Sequence, residues 1–438
     1  MNNTKSFIRE NLAVGFMLFA LFLGAGNIIF PPLLGQQAGE HIFISMLGFL
    51  ITGVGLPLIA IIAVAKNGGD LQVLASKVHP LFGIVFTSIV YLSIGPLFAI
   101  PRTAAVSYEI GVAPFLTEAM RDSWLPLFIT SIIFFSITMY LAFNPTKLVD
   151  RIGKFLTPTL LIIISLLAVK SVITPMGQIG EAQGVYKTAA FSESFIQGYL
   201  TMDVLGALVF GIVIVQALRA RGVTNSAQQV KIAIFSGIVA AIGLAFVYIS
   251  LAYIGVTSTN AIGYYNDGGI IIAEAAKVLY GQAGSIILSA TIILACITTA
   301  VGLLSANATF FAKNLPGVSY QAYLIIFTLF SLIISNFGLE DIIAYSLPIL
   351  LAIYPVAIVL MVLALFANLF NHNPLVYSLA LIATALVSIY DGLKKVGIEI
   401  PAYEKALSYL PFYEHNLGWL VPAIIGFAIG YIVYRSRK

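Results

Sequence analysis

Apolar runs separated by short polar loops occupy almost the whole chain. Twelve of them reach the length needed to cross a bilayer, about 20 residues at a rise of about 1.5 Å each. They fall near residues 12–34, 41–65, 80–108, 123–144, 152–173, 193–218, 230–256, 284–312, 319–336, 341–366, 375–390 and 417–434. No stretch reads as a soluble domain, because the longest polar segments, near 174–193, 257–283 and 391–416, are loops. The pattern predicts an all-α polytopic membrane protein in which residues 1–438 form one transmembrane domain. In the second of those loops, IIIAEAAKVLYG (270–281) brackets Glu274 and Lys277 with apolar residues at helical spacing. That spacing predicts a short helix over the outer mouth, either a lid or a surface helix packed on its neighbours.

Two of the runs are interrupted where a membrane helix should be uniform. LFLGAGNIIFPP (21–32) sets two glycines, an asparagine and two prolines in the first, and TMDVLGALVFG (201–211) sets an aspartate and two glycines in the sixth. The tripeptide Leu23-Gly24-Ala25 reappears as Leu205-Gly206-Ala207. Hydrocarbon tolerates unwound backbone only where it is buried in protein or lines a wet cavity, so matched interruptions point to a binding site at the membrane midplane. Five spans precede the second interruption, and an odd number of crossings inverts a second copy. The expectation is therefore two units of five helices with opposite topology, about 12–173 and about 193–366, followed by two additional helices at about 375–434.

Composition agrees with the pattern: 60% of the 438 residues are hydrophobic and 9% charged, with a mean hydropathy of +1.01. With both termini inside, the inner loops and tails hold twice as many lysines and arginines as the outer loops, leaving Arg102 inside a span. Among the inner ones are Lys147, Arg151 and Lys154. This bias predicts a cytoplasmic N-terminus and C-terminus. The net charge of +4 is then a topology signal, and no basic run is long enough to suggest a nucleic-acid partner. The first run lacks a small-residue cleavage site and reads as an uncleaved anchor. Cys296 is the one cysteine, so no disulfide can form within the chain.

The candidate chemistry gathers at the interruptions. Unwinding at Gly24, Ala25, Gly26 and Asn27 frees amides that bind anions and carbonyls that bind cations. A half-helix starting near Asn27 aims its positive end at the gap, which favours a substrate carboxylate; the alternative is a small-residue packing face. Asp203 lies at bilayer depth, at a cost on the order of 2.5–3.5 kcal/mol unless paired or hydrated. Facing the cavity it holds a cation, either a substrate ammonium or the unwound backbone; otherwise it caps a half-helix. Thr201 adds a hydroxyl or carbonyl, and Gly206 of the repeated tripeptide completes the candidate substrate site.

In ACITTAVGLLS (295–305), Thr298 and Thr299 follow Ala295 by one turn. Their hydroxyls and the Ala295 carbonyl can converge on a small hard cation, with carbonyls of the first helix completing a shell of about five oxygens. Threonines in membrane helices also commonly bond their own backbone, which is the plainer reading. Arg102, in IPRTAAVSYEIG (100–111), lies toward the outer end of the third span with Glu109 about two turns beyond. The two are candidate gating residues at an outer vestibule, or Arg102 is an arginine snorkelling to the interface. Pro96, Pro101, Pro158, Pro348 and Pro355 mark bends, static or hinged. No HExxH, GxSxG, Walker loop or Cys/His cluster is present, so the sequence predicts no enzyme and no cofactor, and transport would draw on an ion gradient.

With these segments in hand, the chain resembles the bacterial branched-chain amino-acid carriers of the BrnQ type, the LIVCS family, from end to end. GAGNIIFPP (24–32), PRTAAVSYE (101–109) and TMDVLGALVFG (201–211) carry the likeness. The resemblance implies sodium-coupled uptake of leucine, isoleucine and valine across a bacterial cell membrane. It also implies a relation to the amino-acid/polyamine/organocation superfamily, with its five-plus-five inverted, leucine-transporter-like fold. Carried onto this sequence, it places the substrate carboxylate at the Ala25 and Gly26 amides, the ammonium near carbonyls of spans one and six beside Asp203 and Thr201, and the side chain in an apolar pocket. One sodium ion, the coupling ion, would sit between spans one and eight, held by carbonyls near Ala20, Leu23 and Ala295 and by the Thr298 and Thr299 hydroxyls. Two other readings remain: proton coupling through Asp203 on the same fold, and a channel or sensor, which needs a continuous polar stripe that these helices do not offer.

Overall fold

A computed structural model describes residues 2–121, 123–144, 157–315 and 317–437, which are helical apart from turns and contain no strand. Lys147, Arg151, Lys154 and the start of the 152–173 run lie outside the described residues. In chain order the α-helices begin with α1 (Asn2–Phe22), α2 (Ala25–Ala38), α3 (Ile42–Leu50), α4 (Leu56–Ala65), α5 (Leu71–Ala75), α6 (Pro80–Leu92) and α7 (Ala99–Glu109). They continue with α8 (Glu118–Arg121), α9 (Trp124–Ala142), α10 (Thr157–Ile173), α11 (Tyr186–Leu200), α12 (Asp203–Ala220) and α13 (Ser226–Ile262). The last are α14 (Gly268–Asn314), α15 (Tyr320–Ser335), α16 (Leu339–Leu365), α17 (Pro374–Lys395), α18 (Pro401–Leu407) and α19 (Leu420–Ser436). Among the described residues eight helical runs are long and apolar enough to cross a membrane, and four shorter apolar helices accompany them: Asn11–Phe22, Thr157–Ile173, Tyr320–Ser335 and Leu420–Ser436.

Side chains that accept from first-turn amides start several of these helices. Asn225 takes the Gln228 N–H at 3.0 Å, Ser319 the Ala322 N–H at 3.2 Å and Asn373 the Leu375 N–H at 2.9 Å. α14 bends at Gly281 (φ 60°, ψ −145°), so the expected 270–281 helix forms the first segment of a longer element. Its Glu274 and Lys277 lie 3.8 Å apart on an exposed face.

The helices sort into an inner and an outer set. In the run through α11 and α12, 94% of the most apolar window is buried, against 28% in α9. Ile129, Ile133 and Ile137 of α9 and Ile326, Leu329 and Ile333 of α15 are exposed, which suits contact with acyl chains. Inside, α2 and α13 approach backbone to backbone. A Cβ on Gly35 would stand 2.2 Å from the Ala252 carbonyl oxygen and one on Gly255 2.1 Å from that of Pro32, so only glycine allows this contact. That packing fixes α2, and with it the site below.

Candidate functional site

Both expected breaks exist, and each is narrower than the sequence suggests. Between α1 and α2 only Leu23 and Gly24 are non-helical, with Gly24 extended at φ −108°, ψ −165°. The half-helix restarts at Ala25 rather than near Asn27. The reason is Asn27 itself, whose Oδ1 accepts the Gly24 N–H at 3.0 Å and closes the turn from within the first helical turn. Ala25 and Gly26 then carry the first amides of α2, which a helix leaves without intrahelical partners.

Between α11 and α12 the break is Thr201-Met202. Met202 adopts φ 63°, ψ 15°, left-handed backbone that costs a non-glycine residue of order 1 kcal/mol or more. Leu205-Gly206-Ala207 lies within α12, past the break, whereas Leu23-Gly24-Ala25 spans the first break. The repeated tripeptides therefore do not occupy equivalent positions, although Gly24 and Gly206 both line the cavity between the breaks.

Asp203 opens α12 and is 3% exposed. Asn27 Nδ2 donates to its Oδ1 at 2.8 Å and its Oδ2 at 2.7 Å, and the Tyr248 hydroxyl donates to Oδ2 as well. Thr201 Oγ1 accepts the Asp203 N–H at 3.4 Å. One carboxylate thus ties α12 to α2 and α13. Tyr248, a fully buried hydroxyl in the seventh run, was not among the candidates; Ser250 and Tyr253 lie in the same run, so residue type alone did not single it out.

A second junction joins α1 to α14. Thr298 Oγ1 lies 2.9 Å from the Ala20 carbonyl oxygen and 2.8 Å from that of Ala295, and Thr299 Oγ1 lies 3.3 Å from the Ala20 oxygen. Four oxygens are gathered there. The hydroxyls donate to the carbonyls, and rotating their protons outward would turn every one of these oxygens toward a cation. Leu23 ends the helix with its N–H on the Phe19 carbonyl at 2.9 Å, next to Gly24, where a Cβ would stand 3.0 Å from Thr299 Cγ2.

Arg102 lies at the depth of the breaks rather than at an outer vestibule. It is 3% exposed; its Nη1 donates to the Leu200 carbonyl at 2.8 Å, and its guanidinium lies 5.8 Å from the Phe30 ring centroid. Glu109, at the end of α7, lines a separate cavity of about 630 Å³ beside the first segment of α14 and accepts the Leu339 N–H at 3.4 Å. The third run is itself interrupted, at Gly95 (φ −89°, ψ −125°) and Phe98, between α6 and α7. Pro96 signalled a bend there, but not a break that turns Ile94 into the site.

The cavity between the breaks measures about 20 Å³, room for about one water. Phe22, Ile94, Phe210 and Leu303 supply its apolar wall, and Arg102 and Asp203 its charges. Among the described residues no group of three or more His, Cys, Asp or Glu could hold a metal ion.

A family model described as branched-chain amino acid transport protein matches residues 8–437. The branched-chain amino acid permease BraB of Bacillus subtilis (strain 168) is 49% identical over 427 residues, covering 97% of this chain and 96% of that protein. The branched-chain amino acid transport system 2 carrier protein of Pseudomonas aeruginosa is 44% identical over 437 residues, 99% of this chain and 98% of that one. Among solved structures, Mhp1, a nucleobase-cation-symport-1 family transporter in a closed conformation with bromovinylhydantoin bound, shares the fold. Its TM-score is 0.64 at 15% identity, covering 97% of this chain and 92% of that one.

Proposed function

The chain belongs to the branched-chain amino acid transport protein family, and from that premise we propose that it imports leucine, isoleucine and valine by sodium symport with alternating access. It is a multi-pass membrane protein, and its relatives are permeases and carriers rather than enzymes. In this reading the chain crosses a bacterial plasma membrane twelve times with both termini cytoplasmic. Residues of about 12–173 and about 193–366 form inverted five-helix units, and the helices of about 375–434 are additional.

The observation that carries the proposal is the position of the threonine junction. Thr298 and Thr299 meet the Ala20 carbonyl of the helix whose break frees the Ala25 and Gly26 amides. A sodium ion held by the Ala20, Leu23 and Ala295 carbonyls and the two hydroxyls would brace α1 against α14. A substrate held at Gly24 to Asn27, Thr201, Asp203 and Gly206 would use the same unwound turn. Ion and substrate would then each favour the conformation that the other needs, and linkage makes the effect reciprocal. The substrate side chain would press on Phe22, Ile94, Phe210 and Leu303 and widen the small cavity, with burial contributing roughly 1.5–3 kcal/mol.

Labelled leucine uptake into proteoliposomes tests this: uptake should rise with an inward sodium gradient and fall to background in choline at fixed pH. A second reading has its own observation. Asp203, held by Asn27 and Tyr248 at the break, is a carboxylate that could carry a proton instead. Uptake driven by a proton gradient in choline would favour it and exclude sodium coupling.

A further inference from the structure

We infer that Arg102 binds the carboxylate of the transported amino acid, so that the site clamps a zwitterion between Arg102 and Asp203. The inference rests on the amino-acid substrate proposed above and assigns one of its two charges to a side chain in place of backbone amides alone.

Arg102 is buried at bilayer depth, and among the described residues no carboxylate lies within ion-pair distance of it. Its direct contacts, the Leu200 carbonyl and the Phe30 ring, bear no formal charge, and Asp203 offsets its charge only across the cavity, without an ion pair. Its Nε has no hydrogen-bond partner. A buried cation in this state is costly, and the cost falls when an anion arrives.

The place for that anion is set by Gly26. A Cβ there would stand 2.9 Å from Arg102 Nη2, so the guanidinium borders the first turn of α2, where the Ala25 and Gly26 amides point outward from the positive end of the helix. Amides and guanidinium offer donors to one acceptor, and a planar carboxylate matches the guanidinium fork. Asp203 lines the same cavity without pairing with Arg102. Two opposite charges kept apart in one cavity match the two ends of an α-amino acid, and they disfavour a bare amine or a bare acid.

The competing role for Arg102 is structural, holding the end of α11 through the Leu200 carbonyl. Leucinamide separates the two roles, since it keeps the side chain and ammonium of leucine but lacks the carboxylate. Binding of both ligands to the purified full-length protein is measured by competition for wild type, Arg102→Gln and Arg102→Lys. In Arg102→Gln the preference for leucine over leucinamide should collapse by roughly 30-fold or more, through lost leucine affinity. Arg102→Lys, which keeps the charge but not the fork, should fall between, and it carries the same comparison if the glutamine variant does not fold. A preference unchanged within about three-fold, with both ligands weakened equally or not at all, would overturn the inference and leave Arg102 a helix cap. A wild type that binds no leucine would instead overturn the substrate assignment itself, and the inference with it.

Discussion

At the first break Gly24 is extended, a conformation open to any residue, and what the chain presents is backbone: the Ala25 and Gly26 amides on one side and the Ala20 carbonyl on the other. At the second break Met202 is held in left-handed backbone, and what the chain presents is side chain. Asp203 is gripped by Asn27 and Tyr248, and the Leu200 carbonyl is already occupied by Arg102. Backbone groups cannot be mutated away, whereas a carboxylate can. The two halves of the site should therefore respond differently to substitution, the second through charge and the first through its cap Asn27 and its neighbours on α14.

The largest effect is expected at the second break. Asp203→Ala would leave the Tyr248 hydroxyl without its acceptor and Asn27 Nδ2 with only the Tyr248 oxygen, and would remove the negative charge, at a cost of ~2–5 kcal/mol. Leucine binding should weaken about 30-fold or more, and Asp203→Asn measured beside it separates charge from shape. Next comes the first break, approached through α14. Thr298→Ala with Thr299→Ala should raise the half-saturating sodium concentration of leucine uptake roughly ten-fold while leaving uptake at saturating sodium largely intact. If the threonine pair costs more leucine affinity than Asp203→Ala does, the contrast between backbone and side-chain ends is wrong.

Two further substitutions sharpen the comparison. Tyr248→Phe removes one donor to Asp203 and should cost about 1 kcal/mol, read as a several-fold rise in the KM for leucine with sodium activation unchanged. Met202→Gly relieves the left-handed strain, worth of order 1 kcal/mol. Because the Met202 side chain is 2% exposed and packed in the core, its loss costs about 2–5 kcal/mol and outweighs that relief, so the thermal midpoint should fall.

Much of this site could be read from residue types. The interruptions at Gly24 and at Thr201-Met202, the intramembrane Asp203 and the adjacent Thr298 and Thr299 all stand out against apolar text, because polar or helix-breaking residues at bilayer depth need a reason. Positions that depend on packing were harder to place. The Leu-Gly-Ala repeat suggested equivalent breaks, but Asn27 caps the first so tightly that the tripeptides fall on different parts of their helices. Arg102 read as an outer residue because the third span was taken to end near 108, whereas the helical run continues from Pro80 to Phe115 and leaves Arg102 well inside it. Tyr248 and Ile94 belong to the site only through the way α13 and the α6–α7 junction fold against it, and neither type is unusual in a membrane helix.

The central claim is that ion and substrate share the first break, and leucine binding to the purified protein in saturating sodium or in choline tests it most directly. The account predicts a leucine Kd at least about five-fold lower in saturating sodium than in choline, with roughly ten-fold more sodium needed to reach it in the Thr298→Ala, Thr299→Ala variant. A wild-type Kd that is the same in both salts would contradict it.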